Sequence, residues 1–137
     1  MHIIIANRKA SIDGREASVL DRLILDVAGR VFFIDPQEIE FAQADGNYVS
    51  ISTGAVAHRV RCQISELQSR LDAAKFLRIH RSVIVNSDKI LTMARGANGE
   101  YSVKMHSGRE FSSGRTFRQR IRGSMLRARS SRLSAPA

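Results

Sequence analysis

Apolar residues in this chain come in short bursts, and turn signals end each burst within a few positions. Leu23, Leu25 and Val27 alternate with other residues, and Ala28-Gly29-Arg30 gives a turn before Val31-Phe32-Phe33-Ile34, which together predict a hairpin. Asp35-Pro36 starts a single helical turn, with Asp35 as cap and Pro36 in the first position. Glu40 to Ala44 leads into the turn Asp45-Gly46, and Tyr48 to Thr53 follows with Val49 and Ile51 on one side and Ser50 and Ser52 on the other. Val56 to Cys62, Phe76 to Ile79, Val83 to Val85, Ile90 to Ala94 and Glu100 to Met105 read as further strands. Arg81-Ser82, Asn86-Ser87-Asp88, Gly96-Ala97-Asn98-Gly99 and Ser107-Gly108 punctuate the later ones. A chain patterned this way is built mainly from short strands.

The helical period of 3.6 occurs twice. Ile64, Leu67 and Leu71 share a face over a short helix from about Ser65 to Ala74. From about 115 to 128, Phe117, Ile121 and Met125 recur every four residues, with Arg118, Arg122 and Arg129 on one flank and Arg120 and Arg127 on the other. Gly123 costs this basic amphipathic helix about 1 kcal/mol relative to alanine. Residues 1–21 show no clear periodicity and form a lead-in segment of uncertain structure, and residues 130–137 are expected to be disordered. The whole length of 137 residues suits one compact domain.

Charge is the strongest compositional signal. Lys and Arg number 22 against 13 Asp and Glu, a net charge of +9. Residues 1–100 are nearly balanced, with 13 basic and 12 acidic side chains, whereas residues 101–137 hold 9 basic and 1 acidic. A one-sided positive field attracts a polyanion such as nucleic acid. The short apolar runs and the absence of a secretory pattern at the start predict a cytoplasmic protein with no membrane partner. The single cysteine, Cys62, excludes an internal disulfide and a cysteine-based zinc site, and ending an apolar strand it is expected to be structural.

Catalytic chemistry has little to draw on, and the chain is not expected to be an enzyme. His2, His58, His80 and His106 are far apart and none pairs at helical metal-ligand spacing, so no metal is expected. No phosphate-binding or dinucleotide-binding glycine pattern is present, so no cofactor is expected either. Asp35, Glu38, Glu40 and Asp45 cluster on a turn and what reads as an edge strand, which predicts a solvated acidic surface.

Phe76-Leu77-Arg78-Ile79-His80-Arg81-Ser82-Val83-Ile84-Val85-Asn86 is more specific. An apolar strand stops, a polar corner intervenes, and an apolar strand resumes, so Arg81 should project from a loop held between buried strands. Arginine there suits a paired contact to guanine O6 and N7, or a phosphate. His80 and Asn86 are expected to tie the loop down by hydrogen bonding to backbone.

Together with Ile39-Glu40-Phe41-Ala42-Gln43-Ala44-Asp45-Gly46-Asn47-Tyr48-Val49, the short helix with Leu67 and Leu71, Gly108 and Gly114-Arg115-Thr116-Phe117, that segment resembles the LytTR DNA-binding domain of bacterial transcription regulators. The resemblance covers about residues 22–125 and leaves 126–137 as a basic tail. It implies a mainly β fold of packed antiparallel sheets whose loops enter successive major grooves on one side of bent double-stranded DNA. The base-reading positions it implies are Asn47, Arg81 and Arg115, and the chemistry agrees, since Asn pairs with adenine N6 and N7 and Arg with guanine. This chain departs from the family pattern at Gly114, where Ser is usual, and at Phe117, where Tyr is common. The missing hydroxyl at 114 bears on a phosphate contact or helix cap for which Ser112 or Ser113 could substitute.

Arg59, Arg61, Arg78, Arg118, Arg120 and Arg122 are the candidates for DNA backbone contact, because phosphate contacts set register while base contacts specify. Arg59 and Arg61 share one face of a strand. The reading is a sequence-specific regulator, with a homodimer on repeated sites and a protein partner supplying the signal as further expectations. The residues by themselves leave open a β-rich protein-interaction module with a solubilising tail. An RNA-binding accessory protein also stays open, although 6% aromatics and no Trp give few stacking platforms.

Overall fold

The computed structural model describes the backbone of residues 2–12 and 15–131 and the side chains of residues 22–125. In chain order the strands are β1 (His2–Ile12), β2 (Arg15–Val27), β3 (Arg30–Ile34), β4 (Phe41–Asp45), β5 (Tyr48–Ser52), β6 (Ala57–Arg61), β7 (Phe76–His80), β8 (Val83–Asn86), β9 (Ile90–Arg95), β10 (Tyr101–Met105) and β11 (Glu110–Ser112). Helix α1 (Ile64–Arg70) lies between β6 and β7, and α2 (Arg118–Ser131) follows β11. Short 3-10 turns occupy Pro36–Glu38, Ser87–Lys89 and Arg115–Phe117. The strands pair antiparallel in three sheets, ordered β1-β2-β3, β6-β5-β4-β8-β7 and β11-β10-β9.

The five-stranded sheet separates two apolar cores. On one face Ala42, Val49, Ile51, Val60, Phe76 and Ile84 pack with Leu23 and Leu25 of β2 and Ile64 and Leu67 of α1. On the other, Phe41, Leu77, Ile79, Val83 and Val85 meet Val103 and Met105 of β10, Phe111 of β11 and Ile121 of α2. Strand β8 is buried on both faces, which explains why Val83-Ile84-Val85 is apolar throughout instead of alternating. Each fully buried Leu or Ile in these layers contributes roughly 1.5–3 kcal/mol.

The turns set the registers. Ala28 and Gly29 have φ of 52° and 82°, both positive, as the two-residue hairpin joining β2 and β3 requires. Between β4 and β5 the loop is Gly46-Asn47, one residue later than the expected Asp45-Gly46, because Asp45 pairs with Tyr48. Asp35 caps its turn, its Oδ1 accepting from Gln37 N at 2.9 Å.

Four elements differ from expectation. Helix α1 stops at Arg70 because Leu71 leaves the helical region and Asp72 Oδ1 takes the N–H of Ala74 at 2.9 Å. The last helix opens as a 3-10 turn and its backbone stays helical to Ser131, so Ser130 and Ser131 are not the start of an irregular tail; residues 132–137 of that tail lie outside the described residues. The backbone of the lead-in pairs along β1 and β2, with a register shift between Ala6 and Asn7 that breaks strand periodicity, and the boundary expected at residue 22 falls inside β2. Strand β11 was not expected, since three residues around the single buried Phe111 leave too short a pattern to read.

Candidate nucleic-acid interface

Strands β4 and β8 pair from Phe41 with Val85 to Gln43 with Val83, which sets the β4–β5 turn and the β7–β8 turn at the same end of the five-stranded sheet. Two backbone hydrogen bonds tie this end together. Ala44 N donates to Ser82 O at 2.8 Å, linking the strand that leads to Asn47 with the turn that carries Arg81. Gly114 N donates to Ile79 O at 2.8 Å, linking the same turn to the segment that carries Arg115. Asn47, Arg81 and Arg115 are all exposed there. The three residues expected to read bases are therefore brought to one end of the molecule on three anchored loops.

The β7–β8 loop is the most constrained of the three. The register slips between Arg78 and His80, making a bulge at Ile79, a device that re-aims neighbouring side chains. His80 Nδ1 accepts from Ser82 N at 3.1 Å and lies 2.8 Å from Ser82 Oγ. Asn86 is buried, donates to Ile39 O at 2.8 Å and accepts from Asp88 N at 3.0 Å. His80 thus ties down the loop as expected, whereas Asn86 ties backbone at the opposite end of β8 and not the Arg81 loop, because it closes that strand.

The candidate phosphate contacts divide. Arg59 and Arg61 are exposed on the edge strand β6, and Arg61 pairs with Tyr48 beside the Gly46-Asn47 turn. Arg59 lies 4.3 Å from the Tyr48 ring centroid and 3.9 Å from Asp45, an exposed ion pair that adds little to stability. Arg120 and Arg122 are exposed on α2. Arg118 turns back over the β9–β10 loop, where a Cβ on Gly99 would sit 3.2 Å from its Nη1, and its Nε is buried without a partner. Arg78 faces α1: Nη1 donates to Gln68 Oε1 at 2.7 Å, Nε to His80 O at 3.1 Å and Nη2 to Arg81 O. Burial, and after it the charge of Arg120, push the pKa of Arg78 below the ordinary guanidinium value.

Gly114 caps the 3-10 turn at Arg115 with no side-chain hydrogen bond. Neither serine replaces the missing hydroxyl as a cap of this turn: Ser113 Oγ accepts from Tyr101 N at 2.9 Å, and Ser112 lies exposed in β11. Glycine suits this place because a Cβ would stand 3.3 Å from Phe117 and 3.4 Å from His80.

Two contributors escaped the sequence reading. Gln68 is the α1 anchor of Arg78. Arg109, from the β10–β11 turn, stacks at 5.0 Å and 5.3 Å from the rings of Phe41 and Phe111 and donates to Gln43 at 3.1 Å. The acidic cluster is also not wholly solvated. β4 lies inside the sheet, not at its edge, and Glu40 is buried at its head, accepting a hydrogen bond from Ser107. At the end of the sheet away from the loops, Asp35, Asp72 and Asp88 line a small hollow with Lys75. Among the described residues no helix is long and apolar enough to cross a membrane.

The family model of the LytTr DNA-binding domain matches residues 29–125, more than half of the chain. The Sensory transduction protein LytT of Bacillus subtilis is 24% identical over 101 residues, covering 74% of this chain and 42% of that protein. Its namesake from Oceanobacillus iheyensis is 31% identical over 87 residues, covering 61% of this chain and 35% of that protein. The chain therefore spans less than half the length of these curated relatives. The LytTr DNA-binding domain of a Bacillus cereus response regulator superposes with a TM-score of 0.69 at 15% identity, over 77% of this chain and 96% of that one, and shares its mainly antiparallel β fold. The family is one of DNA-binding domains, not of enzymes. Pattern, fold and family model agree, and the chain belongs to the LytTR DNA-binding domain family of bacterial transcription regulators.

Proposed function

We propose that this chain is a sequence-specific double-stranded DNA-binding transcriptional regulator that reads bases in successive major grooves with Asn47, Arg81 and Arg115. The observation that carries the reading is the anchoring of three exposed polar side chains at one end of the sheet by the Ala44–Ser82 and Gly114–Ile79 hydrogen bonds. Base discrimination requires side chains aimed from rigid supports, and this end supplies them. Arg59, Arg61, Arg120 and Arg122 flank it as backbone contacts, with Arg118 joining them after its side chain swings off Gly99. Residues 22–125 carry the DNA-binding residues, although β2 crosses the first of these bounds and α2 the second, and 126–137 form a basic extension. The relatives are named for sensory transduction and are more than twice as long as the matched part, so the signal reaches this domain from a further unit or a protein partner. A homodimer on repeated sites fits the same reading.

Selection of bound sequences from a random duplex pool tests this, followed by Arg81 variants on the selected site. Arg81→Ala should cost about 1–3 kcal/mol on that site and far less on random duplex. Arg81→Lys keeps the charge and discards the planar fork, so it should not rescue a two-bond guanine contact. Equal losses on both duplexes with rescue by Lys would reduce Arg81 to a phosphate contact, and failure to enrich any sequence would overturn the reading as a whole.

A further inference from the structure

Resting on the reading of Arg81 as a base contact, we propose that Arg78 is a positioning residue: its guanidinium, anchored on Gln68 of α1, holds the main chain of the β7–β8 loop so that Arg81 is aimed at its base pair. An arginine that serves a phosphate presents free N–H groups to solvent. Arg78 instead commits one N–H of each of its three nitrogens to an acceptor inside the protein, which fixes the direction of the whole fork. Two of those acceptors are the carbonyls of His80 and Arg81, consecutive residues at the turn, and the third is the side chain of Gln68 on helix α1. The planar fork suits this use, because one rigid group spans the loop and the helix at once, which a lysine ammonium cannot.

The same side chain also reaches the third reading loop. The Arg78 guanidinium lies 5.5 Å from the centroid of the Phe117 ring, which ends the 3-10 turn begun by Arg115, and Arg120 lies 5.7 Å from the same ring. Arg78 therefore touches α1, the Arg81 loop and the Arg115 turn. The side chain of Arg81 itself stays exposed, while its carbonyl is held. A base contact tolerates displacement of only about 0.5 Å, so removal of such a brace should appear as reduced discrimination and not as reduced charge.

The test compares Gln68→Ala, Arg78→Lys and Arg81→Ala on the selected duplex and on random duplex across a salt series, with urea melts confirming that each variant is folded under the assay conditions. Gln68→Ala removes no charge and sits away from the loops, yet it should lower the ratio of specific to random binding by several-fold, and Arg78→Lys should lower it by about tenfold. Both should leave the slope of log K against log salt unchanged. In the Arg81→Ala background the two substitutions should have a much smaller effect on the ratio, what remains being the part that reaches Arg115 through Phe117. Rescue by Arg78→Lys with an unaffected Gln68→Ala protein, or an equal weakening on both duplexes, would make Arg78 a phosphate contact or a bystander and overturn the inference alone. A normal ratio in Arg81→Ala would instead remove the base-reading role, and the inference with it.

Discussion

The backbone N–H of Gly114 donates to the carbonyl of Ile79 across 2.8 Å, joining the start of the last helical segment to the bulge just ahead of Arg81. Through this bond two segments 35 residues apart in the chain share one anchor, and the Ala44–Ser82 bond ties the β4–β5 turn to the same end of the sheet.

Gly114→Pro removes this donor at a φ of −76° that proline adopts, and its ring Cδ, standing where the hydrogen was, forces Ile79 O away. Gly114→Ala keeps the donor and carries the same Cβ against Phe117 and His80, so it is the matched control. The proline variant should be less stable than the alanine variant by at least about 1–3 kcal/mol in urea melts, the cost of an unsatisfied carbonyl to which the displacement by the ring adds. Its specific DNA binding should fall more than its random binding.

Asn86→Ala leaves Ile39 O without its partner in a buried setting and Asp88 N without its partner in a half-buried one. A destabilisation of about 1–3 kcal/mol is expected. Since Asn86 sits at the end of β8 away from the reading loops, specific DNA affinity measured well below the melting temperature should remain within a few-fold of the parent. A variant that melts normally but no longer discriminates sequences would contradict this placement.

Deleting residues 127–137 removes Arg127, Arg129 and Arg132 and spares Ile121, the α2 side chain buried in the core. The fold should survive. Each phosphate that the shortened protein no longer neutralises should reduce the slope of log K against log salt by about 0.9, and specific and random duplexes should weaken together. An unchanged slope would mean that this extension does not touch DNA.

Cys62 packs half-buried against the core beside α1, and burial, followed by the charge of Glu66, raises its thiol pKa to about 11. Alkylation by iodoacetamide at pH 7.5 should therefore be slower than for a free thiol and should accelerate up to about pH 11. The folded thiol holds its proton above the ordinary value of 9.0, so the stability this contributes is complete below that pH and is lost as pH rises toward about 11. Replacement by Ser should leave DNA affinity unchanged under oxidising and reducing conditions alike. A redox-dependent loss of binding confined to the parent protein would refute the structural role.

Much of the secondary structure could be read from the chain because the signals are local. Val49 and Ile51 alternate with serines since one face of β5 is buried, and Asp35-Pro36 announces its own turn. Asn47, Arg81 and Arg115 could be placed on loops for the same reason, and the family pattern singled them out. The lead-in escaped because a bulge between Ala6 and Asn7 breaks its period, and β11 because one buried residue makes no pattern. The order of the sheets and the use of each polar residue were decided only by tertiary structure. Glu40 looks like any surface carboxylate until Ser107 is packed onto it from 67 residues away. Arg78 and Arg81 are the same residue type three positions apart, and only the placement of α1 against β7 turns one guanidinium inward to Gln68 and leaves the other in solvent. A sequence states which groups a segment carries, whereas which of them are desolvated depends on what a distant segment lays over them.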